Sequence, residues 1–248
     1  MTKKLTIALA QLNPVVGDIA GNAEKLLAAR EKAASSGADI IVTTELFITG
    51  YPPEDLVRKP AFHRAARAMV EEIAEKTGDG GPAILLGTPW FETNALYNSV
   101  AVLDEGKVQD VVHKVDLPNY GVFDEKRLFS AGPDPQIVNL RGAKLGVPIC
   151  EDIWQEDVCA HLKKAGAEIL ISPNGSPFWD GKQDTRLTVA ASRVREVGLP
   201  MVYVNQYGGQ DELVFDGGSF VMADDCDLVL QMPTWKEDVW LSHWQKTE

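Results

Sequence analysis

Three side chains of different chemistry each follow a short apolar segment that is typical of a buried strand: Glu45, Lys114 and Cys150. Functional groups of α/β proteins gather where strands end, so we expect this acid, this cation and this thiol to share one site. A thiol attacks a carbonyl once a base accepts its proton, and Glu45 can be that base and later protonate a leaving amine. Lys114 can stabilise the negative charge of a tetrahedral intermediate. The set therefore indicates nucleophilic catalysis by Cys150.

The same three residues also have structural interpretations, which the sequence leaves open. A cysteine at a strand end is commonly a small buried apolar side chain, a glutamate can cap the loop that follows it, and a lysine can be solvated. We interpret Cys159 and Cys226 as structural, because the three cysteines show no C-x-x-C spacing. The four histidines have no spacing typical of paired metal ligands, so no metal site is predicted.

The elements that must position these residues alternate along the chain. The apolar patterns predict strands at 5–12, 40–42, 83–87, 97–103, 108–112, 145–149, 169–171, 201–204, 213–222 and 228–230, and helices at 21–36, 60–76, 155–165 and 184–197. Residues 114–134 form a long connection that is either functional or contains a missed element. The glycine pairs at 208–209 and 217–218 are interpreted as turns. Without a linker, the pattern predicts one domain over residues 1–248, with two packed sheets covered by helices.

Composition excludes several classes of protein. The chain carries 24 Lys and Arg against 36 Asp and Glu, a formal net charge of −12, which is unsuited to binding a nucleic-acid backbone. No uncharged apolar run approaches the roughly 20 residues that a membrane helix needs. The first apolar segment is also shorter than that of a signal peptide. We therefore expect a cytoplasmic protein with no nucleic-acid or membrane partner.

Several motifs, in one order along the chain, resemble the nitrilase (carbon–nitrogen hydrolase) superfamily. They are residues 44–56, 113–114, 117–125, 149–154, 172–178 and 205–212. The resemblance is closest to one branch, the glutaminase domains of glutamine-dependent NAD⁺ synthetases, and it covers almost the whole chain. It implies a four-layer αββα sandwich.

The resemblance also implies roles for individual residues. The triad of the superfamily falls on Glu45, Lys114 and Cys150, and Glu125 is implied as a second acid that supports the lysine and the base. The residues implied to hold the substrate are Tyr120, Ser176 and Lys182, with Glu151 and the backbone near Phe123 as further contacts. The family pattern allows Arg at position 182, and a lysine holds a carboxylate less directionally than a guanidinium.

The implied reaction is hydrolysis of L-glutamine to glutamate and ammonia through a cysteine thioester. In this branch the ammonia serves a carbon–nitrogen ligase domain that converts deamido-NAD⁺ to NAD⁺ with ATP and Mg²⁺. This sequence contains no S-G-G-x-D-S type loop for ATP, so we expect the glutaminase domain alone, which needs no cofactor. The resemblance further implies a homo-oligomer, and Trp235, Trp240 and Trp244 are candidates for an exposed contact surface.

Two other functions stay open at this level. The first is a free-standing amidase of the same superfamily that acts on another ω-amide, a carbamoyl amine or a nitrile. Tyr120, Ser176 and Lys182 argue against it, since only an amino-acid head group needs all three. The second is a non-catalytic scaffold in which the triad survives as structure alone.

Overall fold

The computed structural model describes residues 4–245, so the predicted domain ends at 1–3 and 246–248 lie outside the described residues. Its strands are β1 (Lys4–Gln11), β2 (Ile40–Val42), β3 (Ala83–Glu92), β4 (Ala95–Asp104), β5 (Lys107–His113), β6 (Val138–Leu140), β7 (Ala143–Gly146), β8 (Ile169–Asn174), β9 (Met201–Asn205), β10 (Tyr207–Gln210), β11 (Leu213–Asp216), β12 (Phe220–Met222), β13 (Leu228–Gln231) and β14 (Asp238–Gln245). Its α-helices are α1 (Ile19–Ser35), α2 (Pro60–Lys76), α3 (Glu125–Leu128), α4 (Asp157–Ala165) and α5 (Lys182–Val197).

The strands form two six-stranded sheets. One has the order β14-β1-β2-β3-β4-β5, the other has the order β13-β12-β9-β8-β7-β6, and β10 pairs with β11 outside both. In the first sheet β1, β2 and β3 are parallel, and in the second β7, β8 and β9 are parallel. The carboxyl ends of the parallel strands in each sheet therefore lie along one edge, where functional groups can meet.

The two sheets face each other across a shared apolar core. Strands of the first sheet contribute Leu9, Val42 and Leu85, and the second contributes Ile171 and Val204. The opposite face of the first sheet packs against α1 and α2, and the opposite face of the second packs against α4 and α5. The layers follow the order helix, sheet, sheet, helix, which confirms the predicted αββα sandwich.

Some element predictions are wrong, for local physical reasons. The strand predicted at 145–149 is β7, which ends at Gly146. The strand predicted at 213–222 is divided into β11 and β12 by Gly217 and Gly218, whose φ angles of 72° and 66° interrupt an extended chain. The pair at 208–209 lies within β10 rather than in a turn. Strand β14 was not predicted, and α3 is a short helix within the long connection.

Candidate active site

A buried lysine lies between two buried carboxylates where the two sheets meet. Lys114 Nζ donates to Glu45 Oε1 at 2.6 Å and to the two oxygens of Glu125 at 3.0 and 2.9 Å. Lys114 and Glu45 are fully buried, and Glu125, at the start of α3, is 4% exposed. The three residues form one hydrogen-bonded network, as a supporting role for Glu125 requires.

The two carboxylates keep the side chain of Lys114 protonated. Burial alone would lower the pKa of Lys114, but the carboxylates of Glu125 and Glu45 raise that pKa well above its ordinary value. Burial raises the pKa of Glu125, against the lowering effect of Lys114. Removing charges from water is costly unless each is paired, so these groups stabilise one another only as a set.

Close packing of the backbone places Glu45. After β2 the chain passes directly over Gly87 of β3. A Cβ atom at position 87 would lie 2.1 Å from the carbonyl oxygen of Thr44. The backbone N–H of Ile48 then donates to the Gly87 carbonyl at 3.1 Å. Lys114 follows β5, and its own N–H donates to the Asn98 carbonyl at 2.8 Å. Only a residue without a side chain at position 87 permits this approach.

Three further groups complete the carboxylate environment, and none of them was assigned a role from the sequence. Asn98 Nδ2 donates to Glu45 Oε1 at 2.7 Å and to Glu125 Oε2 at 3.3 Å. The Gly175 N–H donates to Glu45 Oε2 at 3.0 Å, and the Tyr51 hydroxyl donates to Glu125 Oε1 at 3.0 Å. An amide side chain inside the apolar strand predicted at 97–103 makes Asn98 unusual in the sequence, but only the fold shows that it contacts both carboxylates.

Cys150 lies in a strained turn beside this network. It is the first residue of a 3₁₀ turn, Cys150–Ile153, and its φ of 47° is uncommon for a residue with a side chain. It therefore stands four residues beyond β7 rather than directly at a strand end. Burial raises the pKa of its thiol, and so does the charge of Glu45, while Lys114 opposes them. The resting side chain is a neutral thiol within the electrostatic range of both residues.

The other two cysteines lie elsewhere in the fold. Cys159 is buried in α4, and burial raises the pKa of its thiol to about 12. Cys226 lies in the turn that follows β12, where its Sγ contacts the Ala191 carbonyl at 3.5 Å. Within residues 4–245 no group of three or more His, Cys, Asp or Glu side chains is arranged to hold a metal ion.

Two residues predicted to bind substrate form a pair at the mouth of the site. The Tyr120 hydroxyl donates to both oxygens of Glu151, at 3.0 and 2.9 Å, and Glu151 directly follows the thiol. Tyr120 is 54% exposed, and its carbonyl accepts the Phe123 N–H in the adjoining turn. Tyr120 and Glu151 line a polar cavity of about 630 Å³. Asp116 and Gln155 also line this cavity, so the surroundings of Glu151 offer a small molecule mainly polar contacts.

Ser176 follows β8, and Lys182 is the first residue of α5 and lies within electrostatic range of Cys150 and Glu151. Lys182 Nζ stands over the rings of Trp179, at 3.4 Å, and Trp154, at 4.4 Å. Burial lowers its pKa to about 8, and nearby Arg186 contributes in the same direction. Ser176 is buried, and its Oγ accepts from Arg186 Nε at 3.1 Å. Arg186 was not predicted from the sequence, because no apolar strand end or motif marks it.

The αββα sandwich and its acid–lysine–thiol site define the class of protein. Residues 6–246 match the carbon–nitrogen hydrolase family, and the chain belongs to that family. Its sequence is 46% identical over 239 residues to the glutamine-dependent NAD⁺ synthetase of Rhodobacter capsulatus, covering 96% of this chain and 43% of that protein.

Two solved structures are also similar to this chain. The glutamine-dependent NAD⁺ synthetase of Acinetobacter baumannii, solved with ADP, superposes with a TM-score of 0.93 at 36% identity, over 98% of this chain and 46% of that one. An amidase from Nesterenkonia sp. superposes with a TM-score of 0.84 at 24% identity, over 97% of this chain and 90% of that one, and shows likeness of fold. The chain therefore spans less than half the length of the synthetases it resembles.

Proposed function

We propose that this chain hydrolyses L-glutamine to glutamate and ammonia, with Cys150 as the nucleophile. The observation that carries the proposal is the buried network of Glu45, Lys114 and Glu125 beside a strained, neutral thiol. The similarity to glutamine-dependent synthetases supports glutamine as the amide.

The hydrogen bonds of Glu45 suit it to accept the thiol proton. A carboxylate has about two acceptor positions on each oxygen. Oε1 accepts from Lys114 and Asn98, whereas Oε2 accepts from the Gly175 N–H. The described bonds thus leave a position on Oε2 for the proton of Cys150.

The reaction then proceeds in two balanced halves. As Sγ bonds to the side-chain amide carbon of glutamine, its proton passes to Glu45, and Lys114 with the N–H of Glu151 stabilises the oxyanion. Glu45 returns the proton to the amide nitrogen, the carbon–nitrogen bond breaks, and ammonia leaves a thioester on Cys150. Water attacks the thioester and gives one proton to Glu45, which returns it to Sγ as glutamate departs.

Different groups around the thiol bind the two charged ends of glutamine. Lys182, held over two indole rings, pairs with the α-carboxylate, and Ser176 offers that carboxylate its hydroxyl proton because its oxygen already accepts from Arg186. Glu151 and Tyr120, with the backbone near Phe123, hold the α-amino group. Each charged end of the substrate therefore has a complementary partner.

In the longer protein, this ammonia would supply the ATP-dependent amidation of deamido-NAD⁺ to NAD⁺. ATP, Mg²⁺ and deamido-NAD⁺ belong to a synthetase part in cis, and the glutaminase chemistry needs no cofactor. We place the protein in the cytoplasm, as a homo-oligomer. Within residues 4–245 no helix is long and apolar enough to cross a membrane. Trp235 and Trp240 are 50% and 38% exposed and fit a contact surface, while Trp244 packs partly against the core.

The test is glutamate release from L-glutamine by the wild-type chain and by Cys150→Ala, with L-asparagine and acetamide as alternative amides. We expect release from L-glutamine that Cys150→Ala abolishes while its thermal unfolding stays that of the wild type. Turnover of acetamide in preference to L-glutamine would contradict the substrate, and full activity in Cys150→Ala would contradict the nucleophile.

A further inference from the structure

The carboxylate of Asp152 joins two backbone segments that carry residues of the thiol site. Its Oδ2 accepts the N–H of Ile149 at 2.8 Å. Its Oδ1 accepts the N–H groups of Val115 and Asp116 at 3.0 and 2.7 Å. Ile149 directly precedes Cys150, and Val115 directly follows Lys114. One side chain, 1% exposed, therefore bridges the nucleophile turn and the segment of the lysine.

The bonds to Asp152 hold the turn at Cys150 in a conformation that a residue with a side chain rarely adopts. Cys150 has a positive φ, and the turn around it is closed by a second bond, from the Asp152 N–H to the Ile149 carbonyl at 3.1 Å. On the other segment, the Lys114 N–H is held by Asn98 of β4. The bonds to Asp152 fix the position of this segment relative to the thiol, which no regular strand pairing does.

Asp152 accepts all three bonds fully only when it is ionised. Burial raises its pKa to about 7, while the backbone N–H groups of Asp116 and Ile149 lower it. The charged side chains that face it are Lys114, which favours the anion, and Asp116, which opposes it; Cys159 from α4 is the neighbouring thiol. The role of Asp152 should therefore be tested above pH 7, where its carboxylate is ionised.

We propose that Asp152 is a positioning residue of the thiol site. Its carboxylate holds the Cys150 turn and the Lys114 segment in the register that allows Glu45 to receive the Sγ proton. The role rests on the proposed function, and Asp152 acts through these residues rather than on the substrate.

Asp152→Asn tests this role with almost no change of volume. The amide keeps one acceptor oxygen and places an NH₂ group against backbone N–H donors, so at least one of the three bonds is lost. A displacement of about 1 Å at the reacting atoms costs about a hundredfold in rate. We therefore expect kcat for glutamate release to fall by about that factor, with KM nearly unchanged. The control is Asp157→Asn, the same chemical change at an exposed position of α4, which we expect to keep wild-type kcat.

A second readout does not depend on glutamine. The neutral Cys150 thiol can attack iodoacetamide only if Glu45 accepts its proton during the attack, so its labelling depends on the alignment of the two side chains. The ratio of labelling at Cys150 to labelling at Cys226, measured by mass spectrometry, therefore reports the activation of Cys150. We expect a high ratio in the wild type and in Asp157→Asn, and a ratio at least about tenfold lower in Asp152→Asn.

The outcomes separate the two proposals. A wild type that releases no glutamate but labels Cys150 selectively would overturn glutamine as the substrate, and the labelling ratio would still decide the role of Asp152. A folded Asp152→Asn that keeps wild-type kcat and labelling ratio would overturn the positioning role alone. A rise in KM at constant kcat would also overturn it, because misplacement of the nucleophile acts on the chemical step. Thermal unfolding of each variant verifies that the measured protein is folded.

Discussion

At the scale of single residues, the site depends on the balance of charge around Lys114. Glu45 and Glu125 are buried on either side of the Lys114 ammonium, and Asn98 and Tyr51 supply neutral donors. The thiol of Cys150 is neutral at rest, so an additional negative charge arises only during the reaction. We therefore expect Lys114 to be needed for stability as well as for the proposed catalysis.

Replacing Lys114 by Met tests this dependence. The substitution leaves Glu45 and Glu125 as unpaired buried carboxylates, and breaking a buried pair in this way costs about 3–5 kcal/mol. We expect the free energy of unfolding in urea to fall by that amount near neutral pH. The loss should shrink in acid, because burial raises the pKa of Glu125 and a protonated carboxyl needs no cation.

Lys32→Met is the matched control. Lys32 pairs with Asp238 at 3.0 Å, but its side chain is 59% exposed, and surface pairs contribute at most about 1 kcal/mol. Equal losses of stability in Lys114→Met and Lys32→Met would show that the buried network does not depend on its cation.

The pH dependence of KM tests the proposed role of Lys182. Burial lowers its pKa to about 8, so the side chain is charged below that pH and loses its proton above it. A neutral amine holds the substrate carboxylate poorly, and KM for glutamine should rise towards tenfold for each pH unit above 8. In Lys182→Arg, whose guanidinium stays charged, KM should remain level over the same range. Equal pH profiles of KM in the two proteins would remove Lys182 from carboxylate binding.

At the scale of elements, the site exists because the chain after β2 crosses β3 at a single glycine. A side chain at Gly87 would meet the Thr44 carbonyl at 2.1 Å and the Leu46 N–H at 2.6 Å. Glu45 lies between these two residues, so the position of its carboxylate is tied to the register of the two strands. Helix α1 is secured separately, since Asp18 caps it by accepting the Gly21 N–H.

Gly87→Ala should therefore damage both stability and activity. Overpacking against backbone atoms costs about 1–3 kcal/mol, and the displaced Glu45 would no longer face the thiol. Gly78→Ala is the comparison, because a Cβ there stays 3.5 Å from its nearest neighbour and its backbone needs no positive φ. The measurements are thermal unfolding and glutamate release for both variants. A fully active Gly87→Ala would contradict the need for glycine where the chain passes over β3.

The elements also show what sequence patterns can and cannot predict. Apolar periodicity gave α2 correctly at 60–76, because one side of this helix is buried. The continuous apolar run at 40–42 gave β2, which is buried on both faces. Strand β14 was missed since its polar and aromatic residues lack a clear alternation, and its stability comes from pairing along β1. The break between β11 and β12 falls at Gly217 and Gly218, where the glycine pair predicts a turn, whereas the apolar pattern predicts one strand through it.

The same distinction holds within the site. Glu45 and Lys114 are unusual polar residues after apolar segments, so their types and places predict a site. Asn98 and Arg186 act through contacts that are distant in sequence, and Asp152 through backbone groups, so only the fold identifies them. The roles of Tyr120, Ser176 and Lys182 remain predictions that came from the resemblance rather than from the pattern.

At the scale of the whole molecule, the two sheets share one core and the ends of the described chain are paired. Strand β1 is antiparallel to β14 from Lys4 with Gln245 to Gln11 with Asp238, so the first and last strands lie side by side. The core between the sheets takes apolar side chains from both halves of the sequence. Neither sheet can bury its inner face alone.

The chain should therefore unfold as one unit. Loss of either sheet exposes the inner face of the other, so urea transitions followed by tryptophan fluorescence and by far-ultraviolet circular dichroism should coincide. Two transitions with separate midpoints would contradict the prediction of a single domain.

The central claim is that the amide is cleaved through a thioester on Cys150. Hydroxylamine competes with water for such an intermediate, so glutamine hydrolysis in its presence measures the claim directly. We predict that the wild type forms γ-glutamyl hydroxamate at the expense of glutamate while ammonia release continues, and that Cys150→Ala forms neither product. Glutamate release with no hydroxamate at any hydroxylamine concentration, or hydroxamate formation by Cys150→Ala, would contradict the account.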